Sequence, residues 1–206
     1  MRKETKDTSI NIVQALSDGT WAVRWDFKPN PDEEGVYWYE EETYTWIPTI
    51  EDVKQTITDW FNKQTDGVIK HGFEWKGIRV YLSDENKFNY KAITDEAARR
   101  ETAIAIWDKE NPEYSGKYVI EVDATDSEGN TITIPHPTGR PMSMFPVTLK
   151  LGEKNLPENF YQFNTIVELQ NFYAAGVDHL IYAYGTGWQK ITTFDWQVYI
   201  DELDKL

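Results

Sequence analysis

The spacing of apolar residues changes along the chain and predicts strands before it predicts helices. Between residues 10 and 47, apolar and polar residues alternate, as in half-buried strands. The clearest predicted strand places four apolar residues on one face: Trp21, Val23, Trp25 and Phe27. Ser17-Asp18-Gly19 before it predicts a hairpin turn. We expect two further short strands at 36–39 and 44–47, separated by a turn at Glu40, Glu41 and Glu42.

Three longer segments carry apolar residues at helical spacing and predict the main helices, at about 49–66, 83–107 and 165–184. Thr49 with Asp52, and Thr165 with Glu168, have the spacing of a capping box, which satisfies free N–H groups at a helix start. Ser83 is a candidate N-cap of the second helix. The spacing predicts a short fourth helix within 194–206.

Glycine and proline predict where these helices end. Gly67 and Gly72 follow the first helix, and Gly185 and Gly187 follow the third. Glycine is common just past a helix because it readily adopts the left-handed backbone conformation found there. Pro112 is expected to stop the second helix, because proline lacks the backbone N–H.

Hairpins are expected between the helices. Lys76-Gly77 predicts a tight turn, and Asp126–Asn130 predicts a polar turn between strands at 118–123 and 131–134. A Pro-rich loop follows, and a third hairpin is predicted from 145–151 and 160–163 around 152–158.

This order of elements predicts an α+β fold in which antiparallel β-hairpins pack with three main helices. Along the chain we distinguish an N-terminal β region at 1–47 and a helix-hairpin-helix region at 48–108. An inserted hairpin with a Pro-rich loop at 109–144 and a C-terminal hairpin plus helix at 145–206 follow, in one or two compact units.

Charge and cysteine usage narrow the possible functions. The chain has 35 acidic and 21 basic residues, a net charge of −14, and no basic cluster, so nucleic acid is not an expected partner. It has no cysteine, which excludes disulfides, thiol catalysis and cysteine-bound zinc. No apolar run approaches the ~20 residues of a membrane span, and residues 1–10 do not resemble a secretory signal.

Catalytic and metal-binding patterns are missing from the sequence. The three histidines, His71, His136 and His179, lie in no motif, and no serine has the Gly-x-Ser-x-Gly context of a hydrolase nucleophile. The acids around Asp126 do not match the spacing of a calcium-binding loop. There is no phosphate-binding glycine loop. We therefore expect no catalytic, cofactor-binding or metal-binding residues, and no enzyme activity.

Aromatic residues are unusually frequent in the N-terminal region and give the candidate interface. Tyr37-Trp38-Tyr39 places aromatic rings on both faces of one strand, so they cannot all enter one core. Either a two-sided sheet buries both faces, or some rings form a protein interface or a sugar-stacking platform, where Trp and Tyr are enriched. The candidate interface residues are Trp21, Trp25, Tyr37, Trp38, Tyr39, Tyr44 and Trp46.

Two longer stretches resemble a known group of proteins. Phe73–Ala92, FEWKGIRVYLSDENKFNYKA, resembles a pattern in uncharacterised proteins from phage and prophage structural gene clusters: a Trp–Gly hairpin, an aliphatic strand, then a helix. Residues 146–195 resemble the rest of that pattern, including the closing Gly187, Trp188 and Lys190. Asp18-Gly19-Thr20 with Val23-Arg24 fits its amino-terminal hairpin. The resemblance covers about two-thirds of the chain, and 109–144 departs from it.

The resemblance implies a virion component, made in the cytoplasm of the bacterial host. A tail, tail-fibre or head-appendage protein of a phage of gut bacteria is implied, with crAss-like phages as the candidate group. It implies no cofactor and transfers no catalytic residue, and Asn86 and Trp188 are expected to be cap and core residues.

The partners expected from this are the chain itself, other virion proteins, or both, with the aromatic N-terminal sheet and the 109–144 hairpin as docking surfaces. The alternative is a carbohydrate-binding module that recognises host-surface glycan. An enzyme acting on cell-wall sugars ranks third, because it needs two carboxylates facing each other in a cleft.

Overall fold

The structure is a computed structural model that describes residues 1–7, 9–153 and 159–206. The chain divides into two compact units. Unit 1 comprises Met1–Val68 and Tyr182–Leu206, and unit 2 comprises Ile69–Ile181. The predicted α+β class is confirmed, since helices accompany a set of antiparallel sheets in the described part of the chain.

Unit 1 is built on a four-stranded antiparallel sheet. Its strands are β1 (Arg2–Thr5), β2 (Val13–Ala15), β3 (Trp21–Pro29) and β4 (Tyr37–Tyr44), in the order β1-β4-β3-β2. The predicted turn before β3 is confirmed, with Gly19 at a φ of 82°. β1 was not predicted, because a short polar edge strand has no apolar alternation to reveal it.

One face of this sheet packs against helices. The residues that form this core come from the sheet, from α1 (Ile50–His71) and from α4 (Gln197–Leu203): Val13, Val23, Trp25, Tyr44, Val53, Ile57 and Tyr199. The predicted capping box at the start of α1 is present, because the Thr49 N–H and hydroxyl both donate to Asp52 Oδ2 at 2.9 Å. The predicted tail helix corresponds to α4.

The acidic turn predicted inside β4 is wrong, because residues 37–44 form one continuous strand. Glu40 and Glu41 are central in the sheet and buried. Glu41 can lie there because Arg24 of β3 and Lys3 of β1 neutralise its charge.

The predicted face of β3 is also wrong at its end. A bulge between Trp25 and Lys28, with Asp26 at a φ of 57°, shifts the register. Phe27 therefore stacks on Tyr39 at 5.4 Å, and the Arg24 guanidinium lies 5.9 Å from the same ring. Phe27 thus shares the face of Arg24 instead of the face of Trp25.

Unit 2 contains three two-stranded antiparallel sheets in its described residues. These are β5 (Phe73–Trp75) with β6 (Ile78–Val80), β7 (Val119–Thr125) with β8 (Thr131–Pro137), and β9 (Val147–Lys150) with β10 (Phe160–Phe163). All three hairpin pairings were predicted. Residues 154–158 of the third predicted turn lie outside the described residues.

The core of unit 2 joins the β5–β6 and β9–β10 hairpins to α2 (Asp84–Glu110) and to α3 (Ile166–Thr192). Its buried residues include Val80, Leu82, Tyr90, Leu149, Leu151, Phe163, Leu169 and Phe172. Ser83 caps α2 as predicted, and its hydroxyl accepts from the Asn86 N–H at 3.2 Å. The Glu168 N–H donates to the Thr165 hydroxyl at 3.2 Å, as predicted for α3. α2 ends before Pro112, where a short 3₁₀ helix follows.

Two predicted helix ends are wrong. α1 continues past Gly67 to His71 and ends at Gly72, whose φ is 66°. The buried Ile69 is worth about 1.5–3 kcal/mol of burial, which exceeds the cost of about 1 kcal/mol for a helical glycine. α3 likewise continues through Gly185 and Gly187 to Thr192. A Cβ at Gly187 would overlap the Thr65 side chain, so this glycine permits close helix packing instead of ending a helix.

Candidate functional site

The structure divides the seven candidate interface residues between the core and the surface. Trp25, Tyr39 and Tyr44 are buried, Trp21, Tyr37 and Trp38 are half-buried, and Trp46 is 54% exposed. Both faces of the sheet hold aromatic rings, as the sequence required. Only the half-buried and exposed members remain available to a partner.

Two of the accessible aromatic rings, Trp38 and Trp46, are held by polar neighbours. The Trp38 Nε1–H donates to Glu4 Oε1 at 2.7 Å, and the Arg2 guanidinium lies 5.2 Å from the Trp38 ring. The Trp46 Nε1–H donates to Asp52 Oδ2 at 3.3 Å. These contacts fix both rings in place, which lowers the entropy lost when a partner covers them.

A buried ion-pair cluster lies on the second face of the sheet. Arg24 Nε donates to Glu41 Oε2 at 2.6 Å, and its Nη1 donates to Asn11 O at 2.7 Å and Gln14 Oε1 at 2.8 Å. Burial raises the pKa of Glu41, but hydrogen bonds from Lys3 and Arg24 outweigh it and lower the pKa overall. Every charge in the cluster has a partner, so we assign it a structural role.

Unit 1 also has an open groove of about 840 Å³ beside α1 and the C-terminal part of α3. Aromatic residues Trp60, Phe61 and Phe194 line it together with charged Lys190 and Asp195. These aromatic residues are not among the candidate interface residues, because the helical spacing of Trp60 and Phe61 predicts core packing and Phe194 lies at the start of the predicted tail helix. Polar residues lie between these aromatic residues in the sequence, and this pattern does not predict a groove.

In unit 2, strands β7 and β8 with their flanking residues form a hairpin at 117–138 that we call the arm. Register pairs place Ile120, Val122 and Ala124 opposite His136, Ile134 and Ile132 on one face. The other face carries Glu121, Asp123 and three threonines. Ile132 and Ile134 are about 40% exposed, and no apolar residue of this face belongs to either core.

The base of the arm is firmly attached to the end of α2. Arg140 Nε and Nη2 each donate to an Asp108 carboxylate oxygen at 2.7 Å, and the guanidinium lies 4.8 Å from the Tyr118 ring. The hydrogen bonds from Arg140 lower the pKa of Asp108. At the tip, Asp126 Oδ1 accepts from the N–H groups of Glu128 and Asn130 at 2.9 Å. Asp126 therefore stabilises the predicted polar turn.

The prolines of β8 affect how the arm can bind. Pro135 pairs with Glu121, and Pro137 pairs with Val119. The Asp126 N–H donates to Asn130 O and the Thr138 N–H donates to Tyr118 O, which fixes the alternation along the ladder. Both proline pairs therefore lie at non-hydrogen-bonded positions. The backbone nitrogens of both prolines therefore face away from β7 and have no N–H to offer. A proline-bearing edge resists the addition of another strand, so on the β8 side the accessible binding surface is the apolar face.

Among the described residues, no three His, Asp or Glu side chains lie close enough together to hold a metal ion. His179 packs 6.0 Å from Phe73. No helix in the part of the chain that the structure covers is long and apolar enough to cross a membrane. Comparison of the chain with protein-family models, with curated proteins and with solved structures found no match.

Proposed function

We propose that this chain is a non-enzymatic structural protein of a phage virion, in a tail, fibre or head appendage, and that it works through protein–protein assembly. The observation that carries the proposal is the arm: an amphipathic hairpin whose apolar face is partly exposed, at Ile132 and Ile134. The resemblance of 73–92 and 146–195 to phage structural proteins adds the virion context.

Physical considerations favour a protein partner for the arm. An isolated two-stranded hairpin is at best marginally stable in water, and the bidentate Arg140–Asp108 pair secures only its base. A partner that covers Ile132 and Ile134 would remove their apolar surface from water, at roughly 25 cal/mol per Å². Binding of the partner would therefore stabilise the hairpin and contribute favourable binding free energy at the same time.

Charge also favours this surface. A chain with a net charge of −14 repels other acidic surfaces. The apolar face of the arm carries no acidic or basic side chain apart from His136, whereas Glu121 and Asp123 occupy the opposite face. A partner can therefore approach the apolar face without burying an unpaired carboxylate.

The test compares two double variants of the full-length chain. Ile132→Thr with Ile134→Thr makes the apolar face polar and keeps β-branched residues. Thr131→Ser with Thr133→Ser changes the opposite face and serves as control. We expect mass spectrometry to find the chain in purified particles of the phage that encodes it, and we expect only the Ile variants to fail to enter particles.

Circular dichroism should show that both double variants fold. Particles that lack the chain, or that take up both double variants equally, would contradict the proposed role of the arm.

The groove of unit 1 favours carbohydrate binding as a second candidate function. Aromatic rings beside charged and hydroxyl groups suit a sugar, which presents both apolar C–H faces and hydroxyls. A glycan array probed with the full chain tests this, with Lys190→Ala in the groove and Lys205→Ala outside it as a matched pair. Binding that only Lys190→Ala weakens would support the groove, and a silent array would count against it.

A further inference from the structure

The helix α3 has a mainly apolar stripe, most of which is exposed in the described chain. The stripe follows the alternating three- and four-residue spacing of a coiled coil: Val167, Gln170, Ala174, Val177, Ile181, Tyr184, Trp188 and Ile191. Helical periodicity places these eight residues on one side of the helix. Val167, Ile181, Tyr184 and Trp188 are each more than half exposed. The expectation that Trp188 is a core residue is therefore wrong.

The stripe is separate from the cores that stabilise the fold. None of its six large apolar residues belongs to either hydrophobic core among the described residues. The core of unit 2 instead uses Leu169 and Phe172, which lie on another side of the helix. Most of the exposed surface of the stripe is therefore not used by the cores of the fold.

We infer that this stripe binds the same stripe of a second copy of the chain, with the two α3 helices antiparallel about a two-fold axis near residue 179. The inference deepens the proposed assembly role and rests on it, because it names the partner of one surface. It concerns a different surface from the arm.

The low charge of α3 favours a second copy. Only Glu168, Asp178 and Lys190 are Asp, Glu, Lys or Arg among its 27 residues. By contrast, twelve of the 27 residues of α2 are charged. Copies of a strongly acidic protein can approach each other closely only where acids are scarce, and no stripe position is charged.

Side-chain sizes select the antiparallel arrangement. About an axis near residue 179, Ala174 of one copy meets Tyr184 of the other, and Gln170 meets Trp188. Val177 meets Ile181 close to the axis. Each large ring thus faces a smaller side chain, as interdigitating packing requires. A parallel pair would instead bring Trp188 against Trp188, at the same level in both copies.

The length of the stripe is sufficient for a stable contact. Twenty-four residues separate Val167 from Ile191, which corresponds to about 36 Å of helix. A Tyr and a Trp can each bury roughly 150–250 Å², and the two-fold axis doubles every contribution. Stable interfaces bury about 1,200–2,000 Å² in total.

The first test is light scattering coupled to size exclusion on the full-length chain. We expect a dimer at micromolar concentration, with twice the 24.1 kDa chain mass. Ile181→Glu should raise the dissociation constant by about 100-fold, because it buries an unpaired charge near the axis. Tyr182→Glu is the control, since Tyr182 is 70% exposed but lies about 100° away around the helix.

The orientation is tested by disulfide formation, which is specific here because the chain has no cysteine. Val167→Cys with Ile191→Cys should yield a covalent dimer on oxidation, whereas neither single variant should. Within one chain the two sites are about 36 Å apart, far beyond the Cα separation of about 4.4–6.8 Å that a disulfide spans. Crosslinking of the single variants would overturn the antiparallel arrangement.

The outcomes separate this inference from the proposed function. A wild-type chain that stays monomeric, or an Ile181→Glu chain that still dimerises, overturns the α3 contact. In either case the chain can still be taken up into particles, and the Ile132/Ile134 arm variant can still fail to enter them. Absence from particles with an intact α3 dimer contradicts the virion role alone.

Discussion

At the scale of single residues, the buried carboxylate of Glu41 is the most consequential feature. It lies inside the sheet of unit 1, where an unpaired charge would be strongly unfavourable. Arg24 and Lys3 both donate to it, and Arg24 is held in turn by Asn11 and Gln14. The sheet therefore tolerates the charge only as a complete network.

Replacing Glu41 by Gln should destabilise unit 1, because Arg24 would remain buried without its counter-charge. Breaking one side of a buried pair costs about 3–5 kcal/mol. Urea unfolding followed by circular dichroism measures the change. Glu42→Gln is the matched control, since Glu42 is the next residue of the same strand and is exposed, where we expect a change within about 0.5 kcal/mol. Equal effects from both variants would refute a structural role for the network.

At the scale of elements, periodicity was sufficient to predict the helices, their caps and the hairpins. It failed where a charge or a glycine has a partner that is distant in sequence. Three consecutive acids predict a turn, but Glu40 and Glu41 belong to a strand because β1 and β3 supply basic partners. Phe27 changed faces because a bulge adds a residue that alternation cannot anticipate.

The candidate surfaces show the same limit. Sequence alternation placed aromatic rings on both sides of the N-terminal sheet, but it contains no information on what covers each side. Trp25 and Tyr44 enter the core, whereas Trp46 stays exposed. The 109–144 hairpin was expected as a docking surface, but the sequence did not identify which of its residues would form that surface. Ile132 and Ile134 share the apolar face of the arm because of the strand register, which only the structure provides.

The two glycines near the end of α3 should respond oppositely to alanine. A Cβ added at Gly185 would meet only open space, so Gly185→Ala should stabilise the helix by about 0.5–1 kcal/mol. At Gly187 a Cβ would overlap the Thr65 side chain, whose hydroxyl donates to Phe61 O at 3.0 Å. Gly187→Ala should therefore destabilise by about 1–3 kcal/mol, as overpacking does.

Thermal unfolding of the two variants measures these changes. Adding Thr65→Ala to the Gly187→Ala variant should restore part of the lost stability, because it removes the overlapping atoms. Stabilisation by Gly187→Ala alone would show that the helices do not approach closely there.

At the scale of the whole molecule, acidic charge and apolar surfaces have complementary effects. A net charge of −14 keeps copies apart over most of the surface, while the apolar face of the arm and the α3 stripe carry no acidic side chain. In the proposed assembly, contacts would form at those two surfaces, as a defined geometry requires.

Carboxylates held in hydrogen bonds make the chain sensitive to acid. Hydrogen bonds from Lys76, Tyr161 and the Asn164 N–H lower the pKa of Glu168 to about 2. Because its pKa is lower in the folded state than in the unfolded state, Glu168 adds stability above its ordinary pKa of about 4.5, and this stability is lost as the pH falls toward 2. Glu41 acts in the same direction.

We therefore expect the thermal midpoint of the chain to fall between about pH 4.5 and pH 2, with circular dichroism as the measurement. Glu168→Gln should be less stable than wild type at pH 7 and should lose less stability over the acidic range, because it has no carboxylate to protonate. Glu153→Gln provides a control at a position with no such hydrogen-bond network among the described residues. A Glu168→Gln chain with the same acid dependence as wild type would show that other carboxylates determine it.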